Sequence, residues 1–299
     1  MSSKVWLITG ASSGIGLAIA KYVLSQGDKV IVTVRSLSKL PEELKGTEAL
    51  ALDLNASDDE IRKVGEAALK IYGHIDVLIN NAGYGLAGPV EELKMEDIRT
   101  QFQTNVFSVI ALTQVLLPHF RARKSGHIIN ISTVSAYWNY PSWGAYSASK
   151  AAIDAFSETL SYELEPYGIR VLVFFPGYFP TKFFSQPRAA EVDSTVYTDP
   201  MQGYQSRSAI PKGRYEGGQI GDVDKFAQRT YEIVHGTGLA EGLVEGQGGK
   251  RSWMRVPLGS DCSELMLQKM DSVKENIVAV ERITRSTDVE ADRLKEFAV

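Results

Sequence analysis

The sequence predicts an α/β fold, a single doubly wound parallel sheet with helices on both faces. Three observations carry that prediction. Short apolar runs alternate with helical patterns along most of the chain, the order that parallel strands and crossover helices require. The middles of those runs are apolar throughout rather than alternating, as expected of strands buried on both faces. The first run leads directly into a glycine-rich turn that opens a helix, which is how such sheets begin when they bind a nucleotide.

Taken in order, strands are expected at Lys4–Thr9, Lys29–Val34, Glu48–Leu52, Asp76–Ile79, Gly126–Ile131 and Arg170–Phe175, with a short seventh near Gly242–Glu245. Ser57-Asp58-Asp59-Glu60 reads as a capping box, with Ser57 at the cap. Ile61, Val64, Ala68 and Ile71 follow it at helical spacing. Val106–Phe120 is too short to cross a bilayer and is read as a buried helix. Trp143–Glu165 is a long helix that should end at Pro166.

Two regions break the alternation. Residues 181–221 are rich in Pro, Gly, Ser and Tyr, and a loop of that length is usually functional, so a lid over a site is expected. Phe183, Phe184, Tyr197, Tyr204 and Tyr215 either cover an apolar or ring-bearing substrate or anchor the loop to the body. A C-terminal helix is expected over about 261–285. Its Met266, Met270, Val273, Ile277 and Val280 recur at spacings of four and three. Packing of that stripe on the chain's own core is the preferred reading, with a partner helix as the alternative. No internal repeat or linker divides the chain, so residues 1–299 are read as one domain.

Composition excludes several classes. The net charge is −4 and no basic stripe occurs, which argues against a nucleic-acid partner. Cys262 is the one cysteine, so no intramolecular disulfide framework can form. His74, His119, His127 and His235 lack metal-ligand spacing, and no metal is expected. Met1–Lys4 runs into a short apolar stretch without a signal-peptide h-region, so a cytoplasmic location without membrane attachment is expected. Gly246-Gln247-Gly248-Gly249-Lys250 lacks the spacing of a phosphate loop and reads as a mobile loop, and no Gly-x-Ser-x-Gly elbow suggests a hydrolase.

The turn Thr9-Gly10-Ala11-Ser12-Ser13-Gly14-Ile15-Gly16 has the GxxxGxG pattern. Small residues let the backbone approach a pyrophosphate, and the free N–H groups and dipole of the helix N-terminus favour an anion there. Gly10, Ser12, Ser13, Gly14, Ile15 and Gly16 are therefore cofactor-binding candidates. The end of the second strand should select the dinucleotide. An acidic residue there would bind a ribose 2′-hydroxyl, whereas Arg would accommodate a 2′-phosphate. No Asp or Glu occurs from Val30 to Ser38, and Arg35 stands at that end. NADP(H) is expected in preference to NAD(H), since a guanidinium can pair with phosphate and stack on adenine.

Further segments follow in one order: Asp53-Leu54, Asn80-Asn81-Ala82-Gly83, Asn105, Tyr146-Ser147-Ala148-Ser149-Lys150 and Pro176-Gly177-Tyr178-Phe179-Pro180-Thr181. With the glycine-rich turn, this series resembles the short-chain dehydrogenases/reductases. The resemblance implies a Rossmann-type fold and an oxidoreductase acting on a carbonyl or alcohol. It implies that Asp53 and Leu54 hold the adenine and that Asn81, Ala82 and Gly83 line the adenosine side. Pro176, Gly177, Phe179 and Thr181 would contact the nicotinamide, and Asn105 would hold a water for proton relay. It also implies a homodimer or homotetramer paired through the helices of Asn105 and Tyr146, the second of which carries Ala145, Ala148, Ala151, Ala152 and Ala155.

The catalytic pair also follows from chemistry. Reducing a ketone or aldehyde to an alcohol needs a proton donor at the carbonyl oxygen as well as a hydride. A free Tyr has a pKa near about 10, and a neighbouring ammonium stabilises its phenolate and lowers that value. Tyr146 and Lys150 are four residues apart in an expected helix and so share a face. Tyr178 and Lys182 repeat the spacing, but Pro180 lies between them. The family places a serine 13 residues before the tyrosine, where this chain has Thr133. Threonine keeps the hydroxyl, but its methyl narrows the pocket. Thr133 is the preferred hydroxyl donor and Ser132 the alternate, because neighbours on an extended segment face opposite ways. An isomerase or dehydratase that retains NADP and a non-catalytic NADP-binding sensor remain as rival functions.

Overall fold

The computed structural model describes residues 3–185, 188–189, 218–243 and 253–289, and only the backbone of 184–185 and 188–189. Strands β1 (Val5–Thr9), β2 (Lys29–Val34) and β3 (Glu48–Ala51) alternate with helices α1 (Gly14–Ser25) and α2 (Asp58–Tyr72). After β4 (Val77–Asn80) comes a two-residue strand β5 (Leu86–Ala87), then helix α3 (Met95–Phe102). A π-helical stretch, Gln103–Phe107, links α3 to α4 (Ser108–Arg123). Strand β6 (Gly126–Ile131), helix α5 (Gly144–Leu164) and strand β7 (Ile169–Pro176) complete the central part. A short helix α6 (Lys182–Ser185) and a strand β8 (Arg188–Ala189), paired with β5, follow. Helix α7 (Val223–His235), strand β9 (Arg255–Leu258) and helices α8 (Ser260–Ala279) and α9 (Glu281–Arg285) end the described chain.

Seven strands form one parallel sheet in the order β3-β2-β1-β4-β6-β7-β9. Chain order runs outward in both directions from β1 and β4, so the sheet's switch point lies between them. Side chains alternate across the sheet. Trp6 and Ile8 of β1 pack with Ile19 and Val23 of α1 and Phe226 and Ile233 of α7 on one face. Val5 and Leu7 pack with Ile61 of α2, Leu116 and Phe120 of α4 and Leu160 of α5 on the other. Both faces of every central strand are thus apolar, which is the pattern the sequence displays. At the sheet's lower end the buried Asp28 carboxylate accepts from Trp6 Nε1 at 2.8 Å and lies 2.8 Å from His235 Nε2, tying the end of α7 to β1 and β2.

The capping box at α2 is present: Glu60 N–H reaches the Ser57 hydroxyl, and Glu60 accepts from the Ser57 N–H at 3.0 Å. The long helix ends at Leu164, and Pro166 lies in a single 3₁₀ turn after it, where a missing N–H and a fixed φ are tolerated.

Two expectations need correction. The seventh strand is Arg255–Leu258 rather than Gly242–Glu245; residues 241–243 form a turn and 244–245 lie outside the described residues. The apolar stripe of the C-terminal helix does not rest on the chain's own core. Met266 packs with Cys262, Phe175 and Val134, but Met270 is 50% and Ile277 60% exposed, because the helix leaves the body after its second turn. It also breaks at Val280, giving α8 and α9 rather than one helix. Of the expected lid, residues 186–187 and 190–217, with Tyr197, Tyr204 and Tyr215, lie outside the described residues, as does the loop Gly246–Lys250.

Burial separates two otherwise similar truncations. Leu172→Ala, in a fully buried site on β7, should lower unfolding free energy by roughly 2–5 kcal/mol. Met270→Ala should change it by less than about 0.5 kcal/mol. Chemical denaturation of both variants measures this, and a Met270 loss matching that of Leu172 would mean that the stripe is packed.

Candidate active site

A crevice opens at the carboxyl ends of β1 and β4, the position that an open α/β sheet offers to a ligand. Its interior volume is about 320 Å³. The glycine-rich turn forms one wall. Gly10 has φ +68°, and a Cβ there would stand 2.8 Å from Ala82. A Cβ on Gly16 would overlap the Asn81 amide. Both positions therefore need glycine if α1 is to start hard against the end of β4. Asn81 holds this approach together, since its Nδ2 donates to the carbonyls of Thr9 at 2.9 Å and Gly10 at 3.2 Å. The Thr9 hydroxyl accepts from the N–H groups of Asn81 and Ala82 at 3.0 Å and lies 3.3 Å from the Ile79 carbonyl, to which it donates.

Ser12, Ser13, Gly14 and Ile15 lie along this wall. Ser13 begins α1 without using its side chain as a cap, so the first N–H groups of that helix have no side-chain acceptor. This suits an anion. Arg35 stands exposed at the rim beyond the buried Val34. Leu52, Asp53, Leu54 and Asn55 form the next edge, with Asp53 accepting from the Asn55 N–H at 3.0 Å. Asn55 was not singled out in the sequence; its oxygen accepts from the Thr104 hydroxyl at 2.8 Å, a contact between distant segments. The donor set, a glycine cradle under a free helix start with an arginine at one end, fits a dinucleotide.

At the deep end Thr133, Tyr146 and Lys150 come together with Ser132, Pro176, Gly177, Phe179 and Thr181. The Thr133 hydroxyl stands beside the Tyr146 phenol, where it acts to lower the phenol's pKa. Ser132 is buried and turned the other way, 3.5 Å from the Lys150 carbonyl. The extended backbone at Thr133 (φ −163°, ψ 155°) explains why adjacent hydroxyls diverge. Asn105, in the π-helical stretch, is 1% exposed. Its Nδ2 donates to the Tyr84 carbonyl at 3.0 Å and lies 3.1 Å from the Ser149 hydroxyl. A Cβ on Gly83 would lie 3.1 Å from Asn105 Oδ1 and 3.5 Å from Lys150 Nζ, so these side chains converge on that glycine. An inserted π turn is a common means of aiming a side chain at a site.

Burial governs the electrostatics at this end. It pushes the Tyr146 phenol above its ordinary value, opposed only by the Thr133 hydroxyl. The Lys150 Nζ donates to the Ile131 carbonyl at 2.6 Å. Burial also pushes the Lys150 ammonium down to about 8. Two ionisable groups thus stand in a water-poor pocket, the setting in which proton-transfer groups are tuned.

Aromatic rings border the phenol. Phe183 packs on Tyr146 at 5.3 Å and stacks on Trp143 at 6.1 Å; Trp143 meets Tyr146 edge-on at 5.6 Å. The Tyr178 hydroxyl donates to Tyr140 at 3.0 Å, which keeps Tyr178 out of the role that its spacing to Lys182 could have suggested. Asp261, at the start of α8, accepts from the Tyr178 N–H at 2.9 Å and so braces the Pro176–Thr181 segment. That brace joins residues far apart in the chain and leaves no local sequence signal. Among the described residues no group of His, Cys, Asp and Glu could hold a metal, and no helix is long and apolar enough to cross a membrane.

Comparison with known proteins agrees with this geometry. The family model described as short chain dehydrogenase matches residues 4–192. An uncharacterized oxidoreductase, YusZ, of Bacillus subtilis is 39% identical over 250 residues, covering 78% of this chain and 85% of its own. A short-chain dehydrogenase from Streptomyces avermitilis superposes with a TM-score of 0.80 at 33% identity, covering 97% of this chain and all of that one. A metagenomic short-chain oxidoreductase solved in complex with NADP superposes with a TM-score of 0.63 at 25% identity, covering 86% of this chain and 97% of the other.

Proposed function

The chain belongs to the short-chain dehydrogenase family, and on that premise we propose that it is an NADPH-dependent reductase converting a ketone or aldehyde to an alcohol. The observation that carries the reading is the junction of Thr133, Tyr146 and Lys150 at the closed end of a dinucleotide-sized crevice. A nicotinamide dinucleotide held there supplies the hydride, the chemistry that no side chain can provide.

The chain's own residues do the rest. The turn Gly10–Gly16 and the start of α1 hold the pyrophosphate, Arg35 the 2′-phosphate, and Asp53 and Leu54 the adenine. Asn81, Ala82 and Gly83 line the adenosine side. Pro176, Gly177, Phe179 and Thr181 orient the nicotinamide. The hydroxyls of Thr133 and Tyr146 donate to the carbonyl oxygen. As that oxygen gains negative charge, Tyr146 passes it the phenolic proton, and the Lys150 ammonium stabilises the phenolate left behind. Lys150 also reaches the ribose. Asn105, held beside Lys150 at Gly83, aligns the water that returns the proton. Reversal of these steps oxidises the alcohol. Phe183 and Trp143 beside the phenol favour a carbonyl with apolar or ring-bearing substituents.

We further propose a homodimer or homotetramer. Ala148, Ala151 and Ala155 form an exposed small-residue face on α5, flanked by the exposed rings of Phe107 and Tyr162. Such a face lets a helix of a second copy approach closely.

Titration with NADPH and NADH by nicotinamide fluorescence, followed by a panel of carbonyls in the same sample, tests the reading. NADPH should bind at least about tenfold more tightly, and Arg35→Ala should remove most of that preference, since a charged pair contributes roughly 1.5–3 kcal/mol. Tight binding with no NADPH consumption would favour an isomerase or a sensor, and preference for NADH would overturn the role of Arg35.

The pH profile has a defined sign. Tyr146 holds its proton past neutral pH, because burial raises its pKa. Lys150 loses its charge near about 8. The rate of reduction should therefore be level below that point and fall above it, by about tenfold per pH unit. A reduction rate that climbs through pH 8–9, in ~1-unit steps, would contradict the assignment of Lys150.

A further inference from the structure

Asp154 lies one helical turn beyond Lys150 and two beyond Tyr146 on α5, so the three share a face of the helix. It is not among the residues that line the crevice. Its carboxylate, on a residue only 9% exposed, accepts from two separate parts of the chain. The Tyr137 hydroxyl donates to Oδ2 at 3.0 Å. Arg255, on the edge strand β9, donates from Nε to Oδ1 at 3.1 Å and from Nη2 to Glu158 at 2.9 Å.

Tyr137 ends the tight turn that begins at Thr133. The Thr133 carbonyl accepts from the Ala136 N–H at 3.1 Å, the Val134 carbonyl from the Tyr137 N–H at 3.0 Å, and the Thr133 hydroxyl from the Ser135 N–H at 3.2 Å. The Tyr137 ring stands edge-on to Phe175 of β7 at 5.4 Å. Burial, with the Asp154 charge beside it, pushes the Tyr137 phenol up to about 12, so it remains a donor at working pH.

These contacts close a ring. A turn joins Thr133 to Tyr137, a hydrogen bond joins Tyr137 to Asp154, two turns of α5 join Asp154 to Tyr146, and the Tyr146 phenol returns to Thr133. We propose that Asp154 and Tyr137 are positioning residues: through the Thr133 turn they hold the Thr133 hydroxyl on the Tyr146 hydroxyl, and Arg255 fixes Asp154 from the sheet edge. The inference rests on the reductase reading of that site. Neither residue lines the crevice. Their effect is geometric, and misplacing a reacting group by about 1 Å can cost on the order of a hundredfold in rate.

Tyr137→Phe removes one hydroxyl and keeps the ring on Phe175. It should lower kcat by roughly tenfold, leave the carbonyl KM within about twofold and leave NADPH affinity unchanged. The same change in a Thr133→Ala background should cost less than about twofold more, because residues that act through one group are not additive. An unchanged kcat with a lowered Tm, or an undiminished loss in the Thr133→Ala background, would overturn the proposal and leave a purely structural link. If the parent consumes no NADPH with any carbonyl of the panel, the reductase reading falls by itself. The positioning is then read from the Cζ resonance of Tyr146 in protein carrying 13C-labelled tyrosine. Tyr137→Phe should shift that resonance, and no shift would overturn the proposal independently.

Discussion

The close approach of two strand ends, β1 and β4, is the constraint on which the rest depends. The Thr9 hydroxyl and the Asn81 amide bridge them, and Gly10 and Gly16 supply the space that any side chain would fill. This junction sits where strand order reverses, so the helices that follow β1 and β4 pass to opposite faces and leave a crevice between their starts. The crevice is thus a consequence of topology, and the glycine-rich turn decides how near a ligand can come to the backbone. Its depth is set from the other side by β6, which delivers Thr133, and by α5, which lays Tyr146 and Lys150 across the floor.

Burial then sets the chemistry. The pocket penalises charge, so the phenol keeps its proton and the ammonium is less firmly held, each moved in the direction that desolvation dictates. The lysine answers by donating to the Ile131 carbonyl, at the end of the strand that leads to Thr133. Phe183 and Trp143 exclude water from the phenol. The third residue along the same face of α5, Asp154, meets polar partners instead of the crevice and ties the helix to the sheet edge. One helix face therefore carries a phenol, an ammonium and a carboxylate in successive turns.

Local features of the sequence foretold most of this. Strand positions follow from apolar runs, because a strand buried on both faces has little choice of residue; Gly126–Ile131 agrees with its expected bounds. The capping box at Ser57 is a contact over three residues and reads directly. Ser132 and Thr133 both border the crevice, and the extended backbone there gives their hydroxyls different partners. What escaped was long-range or depended on exposure. The stripe from Met270 onward has helical spacing whether or not anything covers it, so periodicity could not say that it faces solvent. The edge strand Arg255–Leu258 is half-buried and contains Pro257, which weakens its strand signal. Asp154 with Arg255, and Asp261 with Tyr178, pair across distances in the chain that no spacing rule covers.

Everything proposed for the chemistry turns on Tyr146 passing its proton to a carbonyl oxygen at the end of a dinucleotide crevice. Tyr146→Phe, which removes that proton and little else, tests it most directly when NADPH binding and carbonyl-dependent NADPH oxidation are measured on the same preparation. Binding should be as tight as in the parent and the rate reduced by about 10²–10⁴-fold. A variant that binds NADPH and turns over at close to the parent rate would contradict it, and the proton donor would have to be sought elsewhere in the crevice.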